Sequence, residues 1–544
     1  MKMSRSTPGW LADAIFYEIY PQSFMDTNGD GIGDLAGIIQ KLDYIQSLGC
    51  TAIWLNPCFE SPFGDAGYDV SDFYKVAPRY GTNRDLTRLF REAHKRGMKV
   101  CLDLVAGHTS IEHPWFKASS SPQKNKHSNW YVWTDNPWIE SAGNLSMVRG
   151  SSDRSGAFAS NFFFFQPALN YGFYKPDPKQ PWQLPMDHPD VLALREEMKN
   201  IMRFWMNLGA DGFRVDMAMS LVKNDPNLKG TMQFWSDIRN MYDKEYPNNV
   251  LIAEWSYPKY ALKAGFHIDF MIHFGTEAYT TLFRNEVERD AFRAPNSKSK
   301  GNSTSFFDKA GKGSVTTFLK HYIDHYQTTK SLGYISLPTG NHDITRISLG
   351  RTTRELELIY SFLWTMPGIP YLYYGDEIGM RYLPDLESKE GGYGRTGSRT
   401  PMQWNNRKNA GFSTAHATKL YLPIDGSKNR PTVEDQEIRK TSLLNHVRSL
   451  SNLRRTHPVL ANDGIFEVVH AKRNGFPFIY LRRKGKQKYL VALNPSNRST
   501  STKLRTLKFK KAPEPLIEKG AHWESNETLP TIELKPVSYG IYKL

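Results

Sequence analysis

Cysteine is scarce in this chain. Its three thiols in 544 residues, Cys50, Cys58 and Cys101, each lie in or beside an apolar run. They supply neither a disulfide framework nor a metal-spaced cluster, and buried thiols are expected. Long apolar runs are also missing. None reaches the roughly 18 residues that a helical membrane span requires, so no membrane partner is expected. The first residues, "MKMSRSTPGWLADAIFYEIY", carry basic side chains but no apolar segment beside them. A secretory signal needs that segment, and a cytoplasmic location is expected. The net charge of +15 is spread along the chain, with only short clusters such as "KFKK" at Lys508–Lys511. Without zinc-finger spacing or an RNA-binding signature, this charge predicts a solvated basic surface and no nucleic-acid partner.

A regular beat of strands and helices is present. The stretch "AIFYEIYP" reads as a strand. "DLAGIIQKLDYIQSLG" then places Leu35, Ile38, Ile39, Leu42, Ile45 and Leu48 at helical spacing, with Gly49 as a stop. "TAIWLNP" and "MKVCLDLV" are strands flanking a second amphipathic helix through Leu86, Leu89, Phe90 and Ala93. "ADGFRVD", "NNVLIAEW", "FHIDFMIHF", "GYISLPTGNHD" and "GIPYLYYGDE" continue the series to eight. Apolar strands alternating with helices indicate a parallel sheet covered by helices, and eight such units close into an α/β barrel. The beat breaks over residues 109–186, which are rich in Ser, Asn, Pro and aromatics and show no periodic helix. A second loop-rich stretch, 381–431, follows the eighth strand. The last ~90 residues carry short runs such as "FPFIYLRR" and "KYLVALNP", which predict an antiparallel sandwich.

Charged residues interrupt the apolar strands at their C-terminal ends. Asp103 ends the third strand, with His108 beyond it. Arg214 and Asp216 end the fourth on one face, because side chains alternate along a strand. Glu254 ends the fifth, and His342 and Asp343 end the seventh. A single Arg/Asp pair is equally well a structural salt bridge. Several strand ends aimed at one mouth of a barrel point instead to chemistry, because reacting groups sit there. Paired carboxyls without a His/Cys cluster suit glycoside cleavage, in which one is nucleophile and the other acid/base.

These motifs resemble the α-amylase/α-glucosidase superfamily of retaining glycosidases (glycoside hydrolase family 13) over nearly the whole chain. The matching segments are "DLVAGH" at 103–108, "GFRVD" at 212–216, Glu254, "NHD" at 341–343 and "QPALN" at 166–170. The resemblance implies a TIM barrel in segments 1–108 and 187–457, an inserted domain at 109–186 and a C-terminal β-sandwich at 458–544. It implies Asp216 as nucleophile, Glu254 as general acid/base, and Asp343 as the carboxylate that holds sugar hydroxyls. Asp103, His108, Arg214 and His342 would line the same subsite. "GYDV" at 67–70 resembles the segment in which Tyr68 stacks on glucose and Asp69 binds its far hydroxyls. "GSRTPMQW" at 397–404 resembles the α-glucosidase, oligo-1,6-glucosidase and trehalose synthase branch, where Arg399 would join that Asp behind one terminal glucose.

The loop "DTNGDGIGD" at 26–34 is neither a dinucleotide fingerprint, since Asp34 stands at the third glycine position, nor an EF-hand, since Gly37 stands at position twelve. Relatives bind calcium there, so the resemblance implies a structural Ca2+ on Asp26, Asn28, Asp30, the Ile32 carbonyl and Asp34. Two departures stand out. Gly107 replaces the usual Asn before the first-motif histidine, which removes support for a calcium between barrel and insert. Met217 follows the nucleophile position, where relatives carry Val or a small residue. In the insert, Phe163 and Tyr171 are candidate sugar platforms. The expected substrate is a short oligosaccharide or disaccharide. Hydrolysis, glucosyl transfer or isomerisation, endo-acting amylase action, and a non-catalytic sugar-binding role all fit the same fold.

Overall fold

The computed structural model describes residues 7–138, 145–272, 278–284, 304–507, 513–524 and 530–544; the basic run Lys508–Lys511 lies outside them. Eight parallel strands form the central sheet. They are β1 (Phe16–Ile19), β2 (Ala52–Leu55), β3 (Lys99–Leu104), β4 (Gly212–Val215), β5 (Val250–Ala253), β6 (Ile268–Phe270), β7 (Tyr334–Ser336) and β8 (Tyr371–Tyr373). The ladder runs β7-β6-β5-β4-β3-β2-β1-β8. One parallel bridge, Pro338 to Tyr371, joins its two ends into a barrel.

Period-two alternation sorts the strand residues. Tyr17, Ile19, Ile53, Leu55, Val100, Leu102, Phe213, Val215 and Leu251 face the surrounding helices in the main core. Phe16, Ala52, Trp54, Cys101, Val250, Ile252, Ile268, Phe270 and Tyr371 fill the barrel interior as a separate apolar cluster. On the inward face, the next residues toward the C-terminal end are Glu18, Asp103, Arg214 and Glu254, all buried. The barrel is therefore apolar below and charged above. The register puts Asp103 opposite Arg214.

The helices start where side chains can satisfy their free N–H groups. Asp34 caps Leu35–Gln40 by accepting from Gly37 N. Thr82 with Asp85, and Thr352 with Glu355, form reciprocal capping boxes on Asn83–Lys95 and Thr353–Thr365. Among the described residues no helix is long and apolar enough to cross a membrane.

The segment 109–186, read as lacking a periodic helix, contains among its described residues one short helix, Pro114–Ser119, and a hairpin of Ser146–Arg149 with Ala157–Ser160. It has a small core of its own around Val132, Ala159, Ala168, Phe173 and Trp182. The C-terminal strands are β9 (Ile465–His470), β10 (Phe478–Lys484), β11 (Gln487–Asn494), β12 (Thr500–Lys503), β13 (Glu514–Glu524) and β14 (Thr531–Lys543). They form one continuous antiparallel sheet in which β14 pairs with β11, β12 and β13. One face, with Phe478, Tyr480, Val491 and Ile541, joins the main core. The other buries Ile479, Leu481, Leu490 and Ile532.

Gly212 opens β4 at φ +146°, and an added Cβ would lie 2.0 Å from Val250 O. Gly212→Ala is expected to force β4 away from β5 and to cost about 1–3 kcal/mol. Urea unfolding monitored by circular dichroism checks this; an unchanged midpoint would contradict it.

Candidate active site

Arg214 is the hub of the charged layer. Its Nη1 lies 2.8 Å from Asp103 Oδ1 and 3.0 Å from Asp216 Oδ1, and its Nη2 lies 2.7 Å from Glu254 Oε1. Only 2% of its side chain is exposed, so water screens these contacts little. The planar fork places Asp216 on one prong and Glu254 on the other. The second oxygen of Glu254 accepts from Met217 N at 2.9 Å. Burial, followed by the charge of Glu254, pushes the Asp216 carboxyl well above its ordinary range. Burial also raises Glu254, against the pull of Arg214. Two adjoining carboxyls raised in this way titrate as a unit, and the pair retains one proton where isolated carboxyls would have lost theirs.

Asp103 does not face the pocket as a free acid. It accepts from Arg214, from Trp54 Nε1 at 3.0 Å and from the Tyr68 hydroxyl at 3.1 Å. The Tyr68 hydroxyl is also 2.8 Å from His342 Nε2, and the two rings stack at 12° with centroids 5.4 Å apart. The other nitrogen of His342, Nδ1, lies 2.9 Å from Glu18 Oε1. Burial lowers His342 well below the usual imidazole range and raises Glu18 well above the carboxyl range, so both favour their neutral forms. His108 is also buried, and its pKa falls to about 4. Its Nε2 lies 3.0 Å from the Tyr68 carbonyl and its Nδ1 3.1 Å from Asn161 Nδ2. His108 thus positions the loop that carries Tyr68.

Asp343 sits at the mouth of β7 between two arginines. Its Oδ1 accepts from Arg395 Nη1 at 2.8 Å and from Arg399 Nη2 at 3.0 Å. Arg399 also donates through Nε to the His342 carbonyl at 2.8 Å. Arg395 reaches Asp65 Oδ1 at 3.4 Å, and Gln166 Nε2 donates to the other oxygen of Asp65 at 2.9 Å. Asp65, Arg395 and Asp343 therefore form a continuous charged wall.

The expected pairing of Arg399 with Asp69 is not found. The buried Asp69 carboxylate accepts from Ser61 Oγ, Gly64 N and Asp65 N, so it fastens the turn that presents Asp65. Burial raises its pKa to about 6. Tyr171 is no sugar platform. It is fully buried against Phe234 and donates to the Ala106 carbonyl at 2.8 Å. Phe163 is half-buried and packs on Phe162, Phe165 and Tyr393. Sequence reasoning passed over Glu18, Asp65, Asn161 and Arg395. Glu18 was detectable, because it alternates with Phe16 on a strand just as Asp216 does with Arg214.

The loop 26–34 organises itself. Asp26 accepts from Gly29 N, Gly31 N and Ser413 Oγ. Asn28 and Asp30 bond to each other, and Asp30 Oδ1 accepts from Ile32 N at 2.8 Å. Asp34 accepts from Thr27 and Gly37. The donors are all oxygens, as a hard cation requires. Among the described residues, however, no three acidic, His or Cys side chains converge closely enough to hold a metal ion. As they stand, these oxygens are engaged by one another and by backbone N–H groups of the same loop.

Residues 18–463 match the profile of the α-amylase catalytic domain. The chain belongs to the α-amylase family. Trehalose synthase/amylase TreS of Mycobacterium tuberculosis (strain ATCC 25618 / H37Rv) is 34% identical over 497 residues, covering 85% of this chain and 78% of that protein. An alpha-glucosidase of Culex pipiens is 30% identical over 511 residues, covering 89% and 81%. The crystal structure of isomaltulose synthase from Erwinia rhapontici NX5 superposes with a TM-score of 0.80 at 26% identity, covering 99% of both chains. The chain is thus a glycoside-hydrolase enzyme on a TIM barrel.

In this α-amylase-family barrel, among the described residues, Arg214 is the only cation in an ion pair with Asp103, Asp216 or Glu254. Arg214→Leu leaves three buried carboxylates without it. The expected loss of stability is about 3–5 kcal/mol at neutral pH. It should shrink as pH falls and the carboxyls take up protons. Denaturant midpoints at pH 5 and pH 7 measure both; equal losses at the two values would contradict this account.

Proposed function

We propose that the protein is a retaining enzyme acting on the terminal α-linked glucose of short α-glucans or disaccharides. The observation that carries this reading is the placement of Asp216 and Glu254 on separate prongs of one buried guanidinium, beside an Asp343 fixed by two arginines. Asp216 attacks the anomeric carbon while Glu254 gives its proton to the departing glycosidic oxygen. The carbon–oxygen bond breaks, and a glucosyl ester forms on Asp216. Glu254, now ionised, takes a proton from the incoming hydroxyl, whose oxygen displaces Asp216. Arg214 opposes the effect of burial on Asp216, drawing it toward the ionised form, and aims it. Asp343 and the neutral His342 are suited to hold ring hydroxyls as positive charge develops, and Tyr68 offers an aromatic face. The wall of Asp65 and Arg395 supports a pocket closed behind one glucose, hence exo action.

The incoming hydroxyl decides between hydrolysis and glucosyl transfer or isomerisation. Similarity to trehalose synthases and to an isomaltulose synthase supports the second reading. Maltose, isomaltose, sucrose and trehalose should be assayed for free glucose and for new disaccharides. Net glucose release marks a hydrolase, and conversion between disaccharides marks an isomerase. Asp216→Asn should abolish both; turnover equal to the parent enzyme would overturn the assignment. The kcat/KM profile should be bell-shaped. Activity is lost at low pH as the pair binds its second proton, and at high pH as the last proton leaves. Glu254→Gln should remove the alkaline limb and lower kcat by about 10²–10⁴ on unactivated substrates.

We also propose, from the oxygen donor set alone, that calcium orders the loop 26–34 by rearranging its internal hydrogen bonds. Millimolar calcium should raise the melting temperature and EDTA should lower it, with Asp30→Ala insensitive to both. Identical melting curves in all conditions would rule it out.

A further inference from the structure

A cavity of about 1020 Å³ opens beside the turn that follows the last barrel strand. It lies between residues 348–356, which lead into the helix Thr353–Thr365, the turn after β8 at 378–382, and residues 428–443. None of its lining residues belongs to the catalytic cluster around Arg214. Its size is at the top of the range, about 300–1,000 Å³, in which small-molecule sites fall.

The lining is strongly cationic. Arg351, Arg381, Lys428, Arg430 and Arg439 face Asp435 as the sole acid. Arg381 is already committed to Asp425 at 3.3 Å and to Asn429. Arg351 is occupied by carbonyls of its own turn and by Ser305. The Asp435 carboxylate accepts from Asn406 Nδ2 at 2.8 Å, and its backbone N–H donates to Thr432 Oγ1, the N-cap of its own helix, at 3.2 Å. Lys428 and Arg439 are exposed and carry no ion pair among the described residues. Arg430 Nε is buried with no hydrogen-bond partner among them. Arg430 donates through Nη1 to the Asp425 carbonyl at 3.4 Å, and Arg430 and Arg439 both act on Asp435; three cations around one acid leave a net positive charge for an anion. The helix Leu443–Thr456 also points its N-terminus at the cavity through Ser442 and Leu443, and its first turn carries no acid. Leu444 N and Asn445 N are capped by Gln436 Oε1 and Ser442 Oγ, so what this end adds is the positive potential of the helix dipole.

An inorganic anion fills a small part of this volume. The remainder has the makings of a polyol site: the Tyr382 ring, the Thr353 and Thr441 hydroxyls and the Asn429 amide nitrogen, over a floor of Leu349 and Leu356. We propose that this cavity binds a phosphorylated sugar, with the phosphate against Lys428, Arg430 and Arg439 and the sugar toward Tyr382. Arg381 and Asn429 tie together the two ends of the segment that carries Arg395 and Arg399. A ligand here therefore grips the root of the loop that holds Asp343.

Isothermal titration of the full chain with glucose 6-phosphate, glucose and inorganic phosphate tests the proposal. Glucose 6-phosphate should bind one to one and more tightly than either alone. The double variant Lys428→Glu/Arg439→Glu should weaken it at least about tenfold, the effect of one lost charge-assisted contact. Because both side chains are exposed, the variant should keep the parent melting temperature and its turnover without added phosphate ester. Inorganic phosphate binding as tightly as the ester would overturn the sugar assignment. No binding, or binding that the double variant leaves intact, would overturn the site.

Discussion

One guanidinium in a nearly dry cavity makes the rest of this site possible. Three carboxylates at the top of a closed barrel repel one another and have lost their water. Without a fixed cation they would take up protons or push the strands apart. Arg214 holds all three with one planar fork. A lysine, with its compact ammonium, could not present two separated prongs. The arrangement also divides labour among the acids. Asp103 is consumed by Trp54, Tyr68 and Arg214 and serves as scaffold, whereas Asp216 and Glu254 each meet the guanidinium through a single oxygen.

The second charged cluster is built differently. Asp343 follows a barrel strand, but Arg395 and Arg399 come from the long segment after β8, and Asp65 comes from the turn after β2. In the proposed reading, strand ends supply the reacting groups, and loops supply the wall that limits what can enter. Such a division lets a family keep its chemistry while its members differ in substrate, because the loops change without disturbing the strands.

Much of the barrel was legible because its signals are local. Alternation along β4 predicted that Arg214 and Asp216 share a face, and helical spacing placed Leu86, Leu89, Phe90 and Ala93 in the core. Distant partners were not legible. Nothing in "RTGSR" says that its first arginine reaches Asp65 while its second grips Asp343, since both are settled by how a loop folds back across the barrel. Asp69 illustrates the converse. Its position beside Tyr68 suggested a pocket ligand, yet backbone N–H groups of its own turn claim the carboxylate. In the insert, mixed aromatic and polar composition hid a small hairpin with its own core, because two short strands leave too few residues for a period to emerge.

The barrel is sealed between its seventh and eighth strands by a single bridge at Pro338, whereas its other neighbours share longer ladders. The residues three to five positions beyond that seam are Asn341, His342 and Asp343. Arg399 stitches across from the far side by holding both the His342 carbonyl and the Asp343 carboxylate. The thinnest joint of the cylinder thus coincides with one rim of the pocket. A glucose lodged between Asp343 and the β4–β5 side would act as a clasp on that joint, so occupancy of the pocket and cohesion of the whole cylinder are coupled.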